Sequence, residues 1–183
     1  MPTHSIRIFG DPVLRTPTAP VETFDADLER LVNDMIETMY AAPGVGLAAN
    51  QIGVSLQIFV YDIGEGVGHV INPVLEISDE MQEGTEGCLS VPGLVHETPR
   101  AMHAKVTGVD YRNQPVTVSG SGLLARCFQH EVGHLNGRLY LDHLEPQESK
   151  QAMKEIRNSE WFTTTPPMTS VSPATFPHWY AHD

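Results

Sequence analysis

The segment from Ser121 to about Asn136 constrains this chain most. Leu123, Leu124, Cys127, Phe128, Val132 and Leu135 spread apolar side chains around most of a helical circumference. That spacing predicts a helix buried on nearly all sides, which needs other elements wrapped round it. The same helix carries the run His130-Glu131-Val132-Gly133-His134. Histidines four residues apart stand one turn apart on one face, so both imidazoles can reach a single metal ion. Glu131 points about a hundred degrees away. It suits a water on the ion, as general base and then general acid, better than it suits ligation. Gly133 runs against the pattern, because glycine inside a helix costs about 1 kcal/mol relative to alanine. The expectation is that the site uses the space it leaves.

A catalytic ion of this type takes a third protein ligand and keeps an open fourth position. Cys88, His96, His103, Asp142 and His143 are the candidates. Cys88 stands out within Glu86-Gly87-Cys88-Leu89-Ser90, since a thiolate is a strong ligand for a divalent ion. The competing reading of a single cysteine is a small buried hydrophobe.

Elsewhere, Leu28, Leu31, Val32, Met35, Ile36 and Met39 form one apolar stripe, predicting a helix from Asp25 to Ala42 that Asp25 caps and Pro43 stops. Gly44-Val45-Gly46 reads as a loop. Strands are expected over Leu56 to Tyr61 and His69 to Ile77, with a hairpin of Lys105 to Tyr111 and Pro115 to Ser119. Glu148 to Arg157 suits a last helix. Short strands, a buried helix and a peripheral one predict an α+β fold. The composition allows one domain: 183 residues with 40% apolar content bury a core without disulfides. Residues 1–158 are expected to be the catalytic domain and 159–183 a Pro/Ser/Thr-rich tail, with little regular structure from Thr163 onward.

The net charge of −12 argues against direct nucleic-acid or anionic-lipid binding. No apolar run approaches the roughly 18 residues that span a membrane. The opening Met1-Pro2-Thr3-His4-Ser5 lacks a signal-peptide pattern, so a cytoplasmic location is expected. In that reducing setting Cys88 and Cys127 are not expected to pair.

Three segments together resemble the peptide deformylase family: Gly44-Val45-Gly46-Leu47-Ala48-Ala49-Asn50-Gln51, Glu86-Gly87-Cys88-Leu89-Ser90 and His130-Glu131-Val132-Gly133-His134. Gly10-Asp11-Pro12-Val13-Leu14-Arg15 and Leu135-Asn136-Gly137 look similar too. The resemblance implies antiparallel β-sheets packed around a buried central helix carrying the HExxH motif, with an N-terminal helix and a C-terminal helix and tail. It implies that Cys88, His130 and His134 hold one divalent ion, Fe2+ in the cell, with Zn2+, Ni2+ or Co2+ able to replace it. Glu131 would move the proton, and the Gln51 amide and Leu89 N–H would stabilise the developing oxyanion. Val45, Gly46 and Gly87 would hold the peptide as an added strand, and Arg100 would lie near its far end. The implied reaction removes the N-formyl group from N-formylmethionine of nascent peptides and releases formate.

The ribosome is then a transient partner, with Lys150, Lys154 and Arg157 as a weak docking face, and a monomer is expected. The alternatives are a silent paralogue that binds peptide or metal and a zinc endopeptidase. The chain departs from many relatives at Gly133, where they carry Asp, and at Arg126, where they carry an apolar residue near the methionine pocket. The Arg126 stem is expected to line that pocket with its charge turned outward. His4, His69, His96, His103 and His143 otherwise read as surface or turn residues, Cys127 as a neighbour that packs without ligating, and His178 and His182 as part of the tail.

Overall fold

The computed structural model describes residues 2–163 and 165–169. The chain opens with strand β1 (Ile6–Arg7) and a 3-10 turn at Pro12–Arg15, followed by helix α1 (Ala26–Ala41). Strand β2 (Gly46–Ala48), a 3-10 turn at Ala49–Ile52, β3 (Ile58–Tyr61), β4 (Gly68–Ile77) and β5 (Met81–Gln82) come next. Then follow β6 (Thr85–Cys88), β7 (Val91–Glu97), β8 (Arg100–Ala101), β9 (His103–Val109) and β10 (Pro115–Ser121). Helix α2 (Leu123–Leu135), a turn at Tyr140–His143, helix α3 (Pro146–Asn158), a turn at Glu160–Thr163 and β11 (Met168–Thr169) complete it.

The main sheet has the order β10-β9-β4-β3-β2, and all its ladders are antiparallel. Alternate residues of a strand face opposite sides, and β3 uses both. Ile58 and Val60 join Leu28, Val32, Met35 and Met39 of α1 in one apolar cluster. Phe59 and Tyr61 join Ala125, Phe128 and Val132 of α2 in another. The sheet is therefore covered by α1 on one face and α2 on the other. A third cluster joins Cys88 and Val91 of the β6–β7 hairpin to Tyr140, Ala152 and Ile156, which seats α3 beside β7. Helices packed on antiparallel sheets make this an α+β fold, as the sequence predicts.

Helix α1 starts where its cap demands: the Asp25 carboxylate accepts from the N–H groups of Asp27 and Leu28, each at 3.0 Å. Helix α3 begins earlier than expected, at Pro146, whose fixed φ and missing N–H suit a first turn. The predicted glycine loop leads directly into strand β2, because Leu47 and Ala48 are fully buried against the rest of the sheet. The β6–β7 hairpin has no counterpart in the sequence reading. Glycines and Pro92 break its alternation, and its register shifts between Gly87 and Cys88.

Beyond α3 the described residues stay on the body. Trp161 Nε1 donates to the Pro92 carbonyl at 2.9 Å, and β11 pairs antiparallel with β1. The stretch expected to have little regular structure thus includes the two-residue strand β11, while His178 and His182 lie outside the described residues. Among the described residues no helix is long and apolar enough to cross a membrane.

Candidate metal centre

Helix α2 and the end of β6 deliver three donors to one point. Cys88 Sγ lies 3.2 Å from His134 Nε2, which lies 3.2 Å from His130 Nε2. Among the described residues, Cys88, His130 and His134 are the only group of three His, Cys, Asp or Glu side chains that could hold an ion, with ligand atoms all within 4.8 Å. Of the candidate third ligands, the structure brings Cys88 to the pair and leaves His96, His103, Asp142 and His143 out.

The surroundings fit a cation. Burial pushes the Cys88 thiol well above its ordinary value, partly offset by the Ser90 N–H. Burial pushes His134 well down, which leaves its imidazole neutral with a lone pair to give. Burial, and then the charge of Glu86, pushes Glu131 well up. A bound divalent ion reverses this logic and deprotonates a coordinating thiol outright. Ligands at 2.0–2.3 Å around a tetrahedral ion sit roughly 3.3–3.7 Å apart, so a slight opening of the cluster admits one. Thiolate and imidazole together suit a borderline-soft divalent metal.

Glu86 is the hub behind these donors. Fully buried, it accepts from His130 Nδ1 at 2.5 Å, from Arg100 Nη2 at 2.7 Å and Nε at 2.9 Å, and from Arg126 Nη1 at 2.9 Å. Burial alone would raise its pKa, but hydrogen bonds from Arg100 and His130, with the charge of Arg100, hold the carboxyl well below its ordinary range. The bond to Nδ1 fixes the His130 tautomer, so that Nε2 faces the cluster.

The sequence reading missed Glu86; its only signal was adjacency to Gly87-Cys88. One expectation changes with it. Arg126 turns its charge inward, because a buried carboxylate needs cationic donors, and Nη1 also donates to the Thr98 carbonyl at 2.7 Å. Arg100 is 5% exposed and grips Glu86 with both Nε and Nη2. His96 is also corrected, from surface or turn to 4% exposed, with both ring nitrogens hydrogen-bonded.

The turn after β2 supplies Gln51. Its Oε1 accepts the Ala48 N–H at 2.9 Å, while Nε2 donates to Ser90 Oγ at 3.1 Å and faces Cys88 Sγ at 3.7 Å. Leu89 is buried beside Cys88. The Val45 carbonyl accepts the Asp62 N–H at 2.9 Å and so turns toward β3. In an antiparallel ladder the neighbouring residue's groups point the other way, so Gly46 presents its N–H and C=O at the open edge of the sheet. Gly87 pairs with Val95 inside the hairpin.

Cys127 is fully buried with Sγ 3.7 Å from the Val45 carbonyl and is not one of the converging donors. A Cβ on Gly133 would meet no atom within 4 Å, so the space expected to be used there is open. Glu131 Oε2 and His134 Nδ1 are buried without a hydrogen-bond partner. Glu131 interacts electrostatically with Cys88, and its buried carboxyl oxygen is left over for a further partner.

The sequence and the fold match known proteins. Residues 3–150 fit the family model described as polypeptide deformylase. A peptide deformylase of Acidothermus cellulolyticus is 55% identical over 161 residues, covering 88% of this chain and 89% of that protein. One of a Parafrankia species is 51% identical over 175 residues, covering 94% of this chain and 96% of its own length. The crystal structure of a peptide deformylase from Legionella pneumophila superposes with a TM-score of 0.81 at 42% identity, over 86% of this chain and 95% of that one.

Proposed function

The chain belongs to the polypeptide deformylase family, and from that membership we propose how its own residues divide the work. The reaction is hydrolysis of the N-formyl group of N-formylmethionine on newly synthesised polypeptides, with release of formate. The family is metal-dependent, and Cys88, His130 and His134 are a possible site for the ion. We assign these residues as its ligands and Fe2+ as the native metal, with Zn2+, Ni2+ or Co2+ able to occupy the same donors. The single observation that carries the assignment is the convergence of these donors, with an unpartnered, buried Glu131 oxygen on the same helix.

A divalent ion held there supplies Lewis acidity and lowers the pKa of water from 15.7 to roughly 7. Glu131 takes a proton from the attacking water and returns it to the departing amine nitrogen as the formyl C–N bond breaks. Gln51 Nε2 and the Leu89 N–H donate to the formyl oxygen as it gains charge. The open edge of β2 at Gly46, with Val45 beside it and Gly87 of the β6–β7 hairpin, binds the peptide as an added strand. Arg100 acts at a distance, through Glu86, on the orientation of His130. Residues 1–158 form the catalytic unit, which works as a cytoplasmic monomer without binding nucleic acid directly. Lys150, Lys154 and Arg157, all exposed on α3, provide a transient docking face for the ribosome.

The test is formate release from formyl-Met-Ala-Ser by protein purified anaerobically with iron or nickel, beside Glu131→Ala. Release that requires both the metal and Glu131 is expected. Metal bound at one per chain with equal release by the variant would overturn the role given to Glu131.

A further inference from the structure

A hydrogen-bonded chain runs from the surface of α3 to Tyr140, whose ring lies nearly parallel to that of His130. His96 Nε2 bonds Glu155 Oε2 at 2.9 Å, and its Nδ1 bonds Tyr140 Oη at 3.0 Å. An ionised carboxylate only accepts, so Nε2 carries the hydrogen, and in the neutral ring Nδ1 accepts the Tyr140 O–H. The His96 and Tyr140 rings stack with centroids 5.9 Å apart and planes 26° from parallel. Tyr140, 1% exposed, in turn stacks on the His130 imidazole at 6.2 Å and 18°. Glu86 and His96 are direct cross-strand partners on the hairpin, so their side chains leave it on the same side.

The partners restrain His130 differently. Glu86 holds the edge of the ring at Nδ1, and His134 Nε2 lies 3.2 Å from its Nε2. Tyr140 adds a contact of another kind, a ring nearly parallel to the imidazole that resists tilting of its plane. Packing alone does not explain the device. Phenylalanine at 140 would fill the same space with no polar group to desolvate, whereas a buried hydroxyl and a buried imidazole are tolerable only when both are bonded. The chain of bonds satisfies them through Glu155, whose other oxygen accepts from Gln151 Nε2 at 2.7 Å.

We propose that His96, Tyr140 and Glu155 are positioning residues for the deformylation: they hold the plane of the His130 ring, so that the docking of α3 on β7 sets the geometry of the metal centre. The inference rests on the reading of His130 as a ligand. None of the three touches the reacting atoms; they act through His130.

The experiment loads the full chain with nickel and follows metal release to a chelator, alongside kcat and KM with a formylated peptide and circular dichroism for folding. Tyr140→Phe keeps the ring and removes its anchor; His96→Leu breaks the chain of bonds; His96→Gln can still donate toward Glu155 and accept from Tyr140. Outer partners of metal-bound histidines are worth about 10- to 100-fold in affinity or activity. The expected result is therefore roughly tenfold faster metal release and a lower kcat at little-changed KM in the first two variants, with His96→Gln restoring most of both. Folded variants that release metal and turn over at the wild-type rate would overturn the proposal. Should His96→Leu fold poorly, Glu155→Ala, at the exposed end of the chain of bonds, decides the matter by the same two readouts. A His130→Ala protein that holds nickel as tightly as the wild type would instead refute the ligand reading, and the positioning role with it.

Discussion

Gly46 lies directly against the side chain of Glu131, so that a Cβ built on Gly46 would approach Glu131 Cδ to 2.8 Å and Cγ to 2.9 Å. Glu131 is 2% exposed and has little room to retreat. Gly46→Ala should therefore displace the carboxylate while leaving Cys88, His130 and His134 in place. A misplacement of about 1 Å in a catalytic group can cost about 100-fold. The expected outcome is a loss of that order in kcat with metal content still one per chain, read by formate release and metal analysis. A variant of wild-type kcat would remove the steric account of Gly46.

Gly133 is the opposite case. It sits within α2, two residues before the helix ends at Leu135, with no atom near its missing Cβ. Alanine there restricts the unfolded chain and meets nothing in the folded one. Gly133→Ala should stabilise the protein by up to about 1 kcal/mol, seen as a higher denaturation midpoint with activity retained. Destabilisation would mean that the open space has a use.

Much of this architecture was legible because it follows local rules. The stripe from Leu28 to Met39 and its Asp25 cap specify α1, and the apolar girdle from Leu123 to Leu135 specifies α2 with its two histidines in register. The β6–β7 hairpin was not legible, because what stabilises it is remote. Glu86 can be buried only with Arg100 and Arg126, which lie 14 and 40 residues further along the chain. His96 looks like a surface residue until Tyr140 and Glu155, 44 and 59 residues away, arrive to bond it. No periodicity announces such pairs. The family resemblance supplied Cys88 and Gln51, but it carried no word of the polar groups behind them.

Glu86 should govern the acid sensitivity of the fold. Its folded-state pKa lies well below its ordinary value of 4.5. Its contribution is therefore complete above about pH 4.5 and is lost as the pH falls toward the folded value, at up to about 1.4 kcal/mol per pH unit. Glu86→Gln should abolish that part of the acid limb. At neutral pH it should also cost about 3–5 kcal/mol, because Arg100 and Arg126 are left buried without a counter-charge. Denaturant unfolding of both proteins between pH 3 and pH 7 checks this; parallel pH profiles would contradict it.

The segment after α3 should matter to stability more than to chemistry. Trp161 packs with the cluster around Val91 and Tyr140 and donates to Pro92, and the Phe9 and Phe162 rings meet at 6.2 Å. A chain ending at Ser159 loses these contacts together with β11. The expected penalty is about 2–3 kcal/mol, measured by chemical denaturation, with kcat/KM at 25 °C within about twofold of the full chain. Unchanged stability would show that the segment is not part of the folded unit.

Metal uptake should release protons, and the two acidic groups at the centre can be told apart. Without the ion, burial keeps the Cys88 thiol well above its ordinary value of 9.0, so it is protonated at pH 7 and must lose that proton to become a ligand. Burial and the charge of Glu86 raise Glu131 as well, and a nearby divalent charge pulls it back down. Calorimetric titration of the metal-free protein in buffers of different ionisation enthalpy should therefore find more than one proton released per ion at pH 7 in the wild type, up to about two. In Glu131→Gln the release should fall to about one, from Cys88 alone. The affinity should also weaken as the pH drops, by about tenfold per unit for each proton displaced. Uptake that displaces no proton in either protein would mean that the thiol is already ionised or does not bind the ion, and the assignment of Cys88 would fall.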